Sequence, residues 1–222
     1  MIGALLPAWA CSAETSADAP LACLHPAERQ LLAAAAVERR RREFATGRAC
    51  ARRALADLGT PLRGPLLRGP DGAPRWPRGI RGSITHCPGY RAAAVAFAAD
   101  ADALGVDAER LRPLSRRATA ALTTPEERRL LPEPRTSQDA DIPWETVLFS
   151  AKEAAYKAWS AHGHPLTLRE AQVRITPTTA DGGRLDVRHA RLAMPGLRGA
   201  YALASGLVVT VAFRAVRTGT EP

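Results

Sequence analysis

The stretch from residue 171 onward constrains the fold more than any other part of the chain. "AQVRITP", "RLDVRHARLA" and "GAYALASGLVVTVAFRAV" alternate apolar and polar residues, with turn signals at "DGG" and "PGLRG". A period of two broken by close turns belongs to an antiparallel sheet. Such a sheet must bury one face. The element that can cover it lies just upstream: "WETVLFSAKEAAYKAWSAHG" has helical spacing and stops at Gly163.

The earlier part of the chain shows no internal repeat of this segment but also mixes helix and strand. Residues 1–10 fit a short edge strand. "HPAERQLL" starts a helix, with Pro26 near its first position and Glu28 in its first turn. "ERRRREFATGRACARRALADLG" continues as helix and ends near Gly59. Residues 60–82, dense in Gly, Pro and Arg, form a loop. "SITH" and a turn at "CPGY" follow. "RAAAVAFAA" then reads as a buried strand or, given its alanines, a helix, and "LGVDAER" after "DADA" is a short strand. "SRRATAALTTPEERRLL" is helical in two pieces, with Thr124 as N-cap and Pro125 at the first position. The polar, Pro-rich "PEPRTSQDADIP" is a loop. Helix, strands, helices, strands predicts an α+β fold in two halves, 1–103 and 104–222.

The 222 residues carry a net charge of +9 and a pI near 10.4, which favours anionic partners without choosing among them. The four cysteines form no CxxC pair and no zinc-like cluster, which suits a reducing compartment. The N-terminus has no positive region and is broken by Pro7, against a secretory signal. No apolar run approaches the ~18 residues of a membrane span. The expectation is a soluble, cytoplasmic protein.

Several side chains invite a chemical reading. In "GVDAER", Asp107 and Glu109 share one face of a strand, opposite Val106 and Ala108. Two carboxylates this close repel each other unless Arg110 or Arg112 answers them or a hard cation such as Mg²⁺ takes their oxygens. Glu153 stands four residues before Lys157. That is the preferred order for an intrahelical pair of ~0.2–0.5 kcal/mol. It also suits a third metal ligand or general base beside a phosphate-neutralising lysine. His86 suits either a structural role or a phosphate contact, and a nucleophilic pair with Cys87 is disfavoured by their adjacency. His162 and His164 read as surface residues at a helix C-terminus. Arg40, Phe44, Arg48 and Arg52 share a helix face, either a phosphate-binding stripe or a solvated surface. Gly72 in "PDGAPRWP" permits close backbone approach to a ligand, and Trp76 reads as a packing plug.

Together these segments resemble one family. "GVDAER" looks like the G-[IV]-D-x-E motif, and "FSAKEAAYKAW" like the [FW]-[SC]-x-K-E-[AS]-x-x-K motif, of 4′-phosphopantetheinyl transferases of the larger, monomeric type. That type activates siderophore, polyketide and nonribosomal peptide synthases. "GSITHCPGYRAAAVA" is similar to the family's Ser/Thr-His segment. "REFATGRACARRALADLG" and "GAPRWPRGIRGS" resemble its enterobactin-synthase-like subgroup.

The resemblance implies two pseudo-symmetric α+β halves with the cofactor in the cleft between them. It implies that a carrier-protein serine attacks the β-phosphate of coenzyme A and that 3′,5′-ADP leaves. Asp107, Glu109 and Glu153 match the Mg²⁺-binding acids, with Ala108 contributing backbone only. Glu153, directly or through a metal-bound water, is the candidate base, and Lys157 balances pyrophosphate charge. Lys152 is implied to support the site or the carrier contact. Arg40, Arg48, Thr85 and His86 match coenzyme A contacts, and the loop Asp71, Gly72, Ala73, Pro74 matches a nucleotide-binding turn. Many relatives carry a lysine in that loop. Here Asp71 and Ala73 stand instead, leaving Arg68 and Arg75 as replacements. The implied partners are coenzyme A and apo acyl or peptidyl carrier proteins, for a monomer that uses neither membrane nor nucleic acid. The alternative, a basic nucleic-acid-binding module, accounts for the charge but not for three acids in these motifs.

Overall fold

The computed structural model describes residues 1–32, 37–70, 72–133, 142–160 and 167–216. The fold is α+β, built on two antiparallel sheets. In the first half, strands β1 (Ala10–Thr15), β2 (Ile80–Cys87) and β3 (Tyr90–Phe97) form a sheet in the order β1-β3-β2. Helices α1 (Pro26–Arg29) and α2 (Glu38–Asp57) come between β1 and β2. In the second, β4 (Ala101–Arg110), β5 (Ala171–Thr179), β6 (Gly182–His189), β7 (Leu197–Ala204) and β8 (Leu207–Ala215) take the order β4-β8-β7-β6-β5. Helices α3 (Arg116–Leu122), α4 (Pro125–Arg129) and α5 (Trp144–Ser160) lie between β4 and β5.

The alanine-rich run that suited either strand or helix is β3, and its packing explains the ambiguity. Ala92, Ala94 and Ala96 face Leu104, Val106, Val209 and Val211 of the second sheet. Ala93 and Val95 pack on the other side with Cys50, Ala51, Ala54 and Leu55 of α2. A central strand buried on both faces loses its polar alternation. Small side chains let the layers on both sides come close.

Helix α5 covers the second sheet. Val147, Leu148, Ala151, Ala155 and Trp159 pack on Val173, Ile175, Leu185, Val187 and Tyr201. Each large apolar side chain buried in this way stabilises the fold by roughly 1.5–3 kcal/mol.

Four local expectations change. Residues 1–10 are not a strand: a 3₁₀ turn, Ile2–Leu5, buries Ile2, and the strand begins only at Ala10, beyond Pro7, which has no N–H to give a ladder. The helix at "HPAERQLL" is a single turn. Strand β4 starts at Ala101 rather than after "DADA", because Ala101 and Ala103 are fully buried and Asp102 pairs with Arg214 at 2.5 Å. The turn at "PGLRG" gives way to β7 from Leu197, whose side chain is buried. Asp71, His162, Gly163 and His164 lie outside the described residues, as does most of "PEPRTSQDADIP".

Candidate active site

Strands β2 and β4 are edge strands of different sheets, and they meet through side chains. Ser83 Oγ accepts the Val106 N–H at 3.1 Å, and Thr85 Oγ1 accepts the Ala108 N–H at 3.0 Å. Thr85 then donates its own proton to Asp107 Oδ1 at 3.3 Å. On the other side α5 lies so close to β4 that a Cβ on Gly105 would stand 1.9 Å from the Ala154 carbonyl oxygen and 2.6 Å from Ala158 N. Glycine at 105 is therefore what lets the helix reach the strand.

That approach brings Asp107 and Lys157 together. Lys157 Nζ donates to Asp107 Oδ1 at 2.6 Å and to the Val106 carbonyl at 3.2 Å. Ser150 Oγ donates to Asp107 Oδ2 at 2.9 Å, and Thr210 Oγ1 donates to the Ser150 carbonyl at 2.9 Å. Asp107, only 4% exposed, thus receives hydrogen bonds from β2 and α5 at once. Buried carboxylates need such partners. Ser83, Ser150 and Thr210 escape the sequence reading. The spacing of Ser83 and Thr85, two apart on one strand face, was the available signal for the first.

Glu109 and Glu153 are half-buried, and both feel the charges of Asp107 and Lys157. Burial pushes the Glu109 carboxyl up to about 7, with the Asp107 and Glu153 charges adding to the rise and Lys157 opposing it. Burial also raises Glu153, where Asp107 adds and Lys157 opposes. Among the described residues, no three acidic, histidine or cysteine side chains stand as a ready-made metal cluster. The donor set nevertheless fits a hard cation. All three groups offer oxygen, and their mutual repulsion is what a divalent charge would relieve. Ala108 has its side chain buried in the core. Its carbonyl shares the β2-facing edge with its N–H, leaving backbone as its only possible contribution.

The arginine stripe divides by role. Arg40 Nη1 donates to His86 Nε2 at 2.6 Å. A guanidinium can only donate, so this imidazole is neutral with its proton on Nδ1, 3.7 Å from the buried Glu43. Burial and the Arg40 charge lower the pKa of His86 accordingly. Arg48 is buried, bonds the Leu66 carbonyl at 3.0 Å and stacks 4.4 Å from the centre of the Phe44 ring. Arg68, which is exposed, stacks on the same ring at 5.1 Å. Burial, with Arg68, Arg52 and Arg40 nearby, brings the Arg48 pKa down to about 10. Arg52 reaches the buried Glu28 at 2.8 Å. The Cys87 thiol is pushed up to about 11 by burial and by Glu109 and Asp107, so it is no nucleophile.

A cavity of about 580 Å³ opens between the 69–76 loop, β2 and α5. Gly72, Ala73 and Pro74 line one wall, Trp76 and Ser83 another, and Tyr156 and Lys157 a third. The predicted loop residues 72–74 and Lys157 therefore share one space.

Known proteins resemble this chain along nearly its whole length. A family model for the 4′-phosphopantetheinyl transferase N-terminal domain matches residues 27–96, and one for the 4′-phosphopantetheinyl transferase superfamily matches residues 103–204. The 4′-phosphopantetheinyl transferase Svp of Streptomyces mobaraensis is 44% identical over 99% of this chain and 92% of its own length. The chain belongs to the 4′-phosphopantetheinyl transferase superfamily. Two further phosphopantetheinyl transferases are similar: Npt of Nocardia iowensis, 42% identical over 88% of this chain and 86% of its own, and PptT of Mycobacterium tuberculosis, 39% identical over 89% of each. Asp107, Glu109 and Glu153 all fall within the superfamily match. No helix among the described residues is long and apolar enough to cross a membrane.

Proposed function

We propose that this phosphopantetheinyl transferase moves the 4′-phosphopantetheine arm of coenzyme A onto a serine of an apo acyl or peptidyl carrier protein and releases 3′,5′-ADP, with Mg²⁺ held by Asp107, Glu109 and Glu153. The observation that carries this reading is the ion pair of Asp107 with Lys157, which lines the cavity, with Glu109 and Glu153 near enough to feel both charges. Phosphoryl transfer asks a protein for positioning and charge neutralisation rather than covalent chemistry. When bound, the cation would supply neutralisation of the pyrophosphate.

The chain's own groups have separate tasks. Lys157 neutralises phosphate charge near Asp107. Glu153, held less acidic than an ordinary carboxylate, accepts the serine proton. Arg40, His86 and Arg68 face the remaining phosphate. Gly72, Ala73 and Pro74 let the nucleotide lie against backbone, and the excess positive charge draws in acidic carriers. The reading further takes the halves as 1–103 and 104–222, and the protein as a cytoplasmic monomer of the type serving siderophore, polyketide or nonribosomal peptide assembly, without nucleic acid.

The test is incubation with coenzyme A, Mg²⁺ and several apo carrier proteins, read by mass spectrometry of the carriers. The phosphopantetheine adduct should appear with wild type and vanish with Glu153→Gln while coenzyme A still binds. No adduct on any carrier would overturn the reading.

A further inference from the structure

Lys152 precedes Glu153 on α5, so its side chain leaves the helix about 100° away from that of Glu153. It is fully buried. Its ammonium meets Glu127 Oε1 at 2.7 Å, Glu127 Oε2 at 3.0 Å and the Leu168 carbonyl at 3.2 Å. The ammonium hydrogen-bonds Oε2 and the Leu168 carbonyl, while Oε1 is an ion-pair contact without a hydrogen bond. Glu127 is itself buried and closes a capping box: its Oε2 accepts the Thr124 N–H at 2.9 Å, and its own N–H reaches Thr124 Oγ1 at 3.1 Å. One carboxylate therefore caps the start of α4 and holds α5.

Stability does not account for such a pair. Burying two charges costs as much as their attraction returns, and an apolar pair of equal volume is commonly as stable. Two hydrogen bonds in different directions from one ammonium do fix something that an apolar contact leaves free, the rotation of the helix about its axis. The opposite flank of α5 is tied too, by Thr146 Oγ1 to the Arg112 carbonyl at 2.6 Å and by Ser150 to Asp107.

We infer that the buried Glu127–Lys152 pair is a positioning device for the transfer reaction, setting the rotation of α5 that turns Glu153 and Lys157 towards Asp107. This rests on the function proposed above. Both residues act through the helix and neither is a catalytic residue.

Two variants test it. The double variant Glu127→Leu/Lys152→Met removes both charges while roughly keeping volume, and Glu127→Asp keeps the charge but shortens its reach. In the double variant kcat should fall about tenfold or more while KM for coenzyme A stays within about threefold. Its α5 amides beyond residue 152 should exchange about tenfold faster, with the β4–β8 amides unchanged. Glu127→Asp should lower kcat in the same sense when assayed well below its own melting temperature, and it decides the matter if the double variant does not fold. Wild-type kcat in these variants, or unchanged α5 exchange, would overturn the inference. If wild type itself transfers nothing, the proposed function fails, and α5 exchange alone then shows whether the pair orients the helix.

Discussion

The Lys157 ammonium lies 2.6 Å from Asp107 Oδ1 and 3.2 Å from the Val106 carbonyl, so one charge on α5 reads both a side chain and the backbone of β4. Lys157→Met would leave Asp107 with hydroxyl partners only. We expect turnover to fall by about 100-fold or more. Lys157→Arg should recover little, because a planar fork does not replace a compact ammonium at two converging acceptors. Steady-state kinetics with coenzyme A and an apo carrier would check both, and near-normal turnover in the methionine variant would refute the role.

Gly105→Ala places a methyl group where the Ala154 carbonyl already stands. Neither backbone can yield cheaply, so α5 must lift from β4. A loss of about 1–3 kcal/mol in urea unfolding is expected, as for other overpacked contacts. Activity should be lost even well below the new melting temperature, since Lys157 no longer reaches Asp107. A variant that is destabilised yet fully active when cold would contradict that link.

Glu109 gives stability a pH dependence whose sign follows from its environment. Its carboxyl titrates near 7 when folded against an ordinary value of 4.5. The folded protein therefore binds the proton more tightly. The stability this contributes is complete below pH 4.5 and is lost as pH rises through 7. Half-exposure screens the effect. Added Mg²⁺ should stabilise the protein more at pH 8 than at pH 5, because only ionised acids hold it. Thermal melts with and without Mg²⁺ at both pH values test this, and an equal effect at both would count against the cation site.

Arg48 and Arg68 flank the same Phe44 ring but should respond differently. Arg48→Ala removes a buried hydrogen bond to Leu66 and should destabilise the fold by about 1–3 kcal/mol. Arg68→Ala should leave stability within about 0.5 kcal/mol, as exposed substitutions do. It should instead weaken coenzyme A binding severalfold. Calorimetry beside denaturant titration separates the two. Arg68→Ala with unchanged affinity would leave the missing loop lysine without this substitute.

Much of this was legible in the sequence because it is local. Helix α2, the two-piece α3 and α4, and the strand alternation of β5 and β6 follow from caps and periods. The motifs singled out Asp107, Glu109 and Glu153 as the candidate acids. Which residues hold Asp107 was not legible, since Ser150 and Thr210 are ordinary polar residues until packing brings them beside it. Arg48 shows the same limit: helical spacing put it on a face with Arg40, but only the path of the 60–76 loop shows that Leu66 engages its guanidinium. Strand β3 was ambiguous because its alternation is erased by burial on both faces.

The hydroxyls of Ser83 and Thr85 have one more consequence. An edge strand with bare amides is a template on which another molecule's strand can pair. In β4 the outward amides of Val106 and Ala108 are taken by these two hydroxyls from within the chain. Ser83 and Thr85, the second of which also donates to Asp107, thus cover these two amides of that edge, so a chain lacking both hydroxyls faces self-association as well as misalignment.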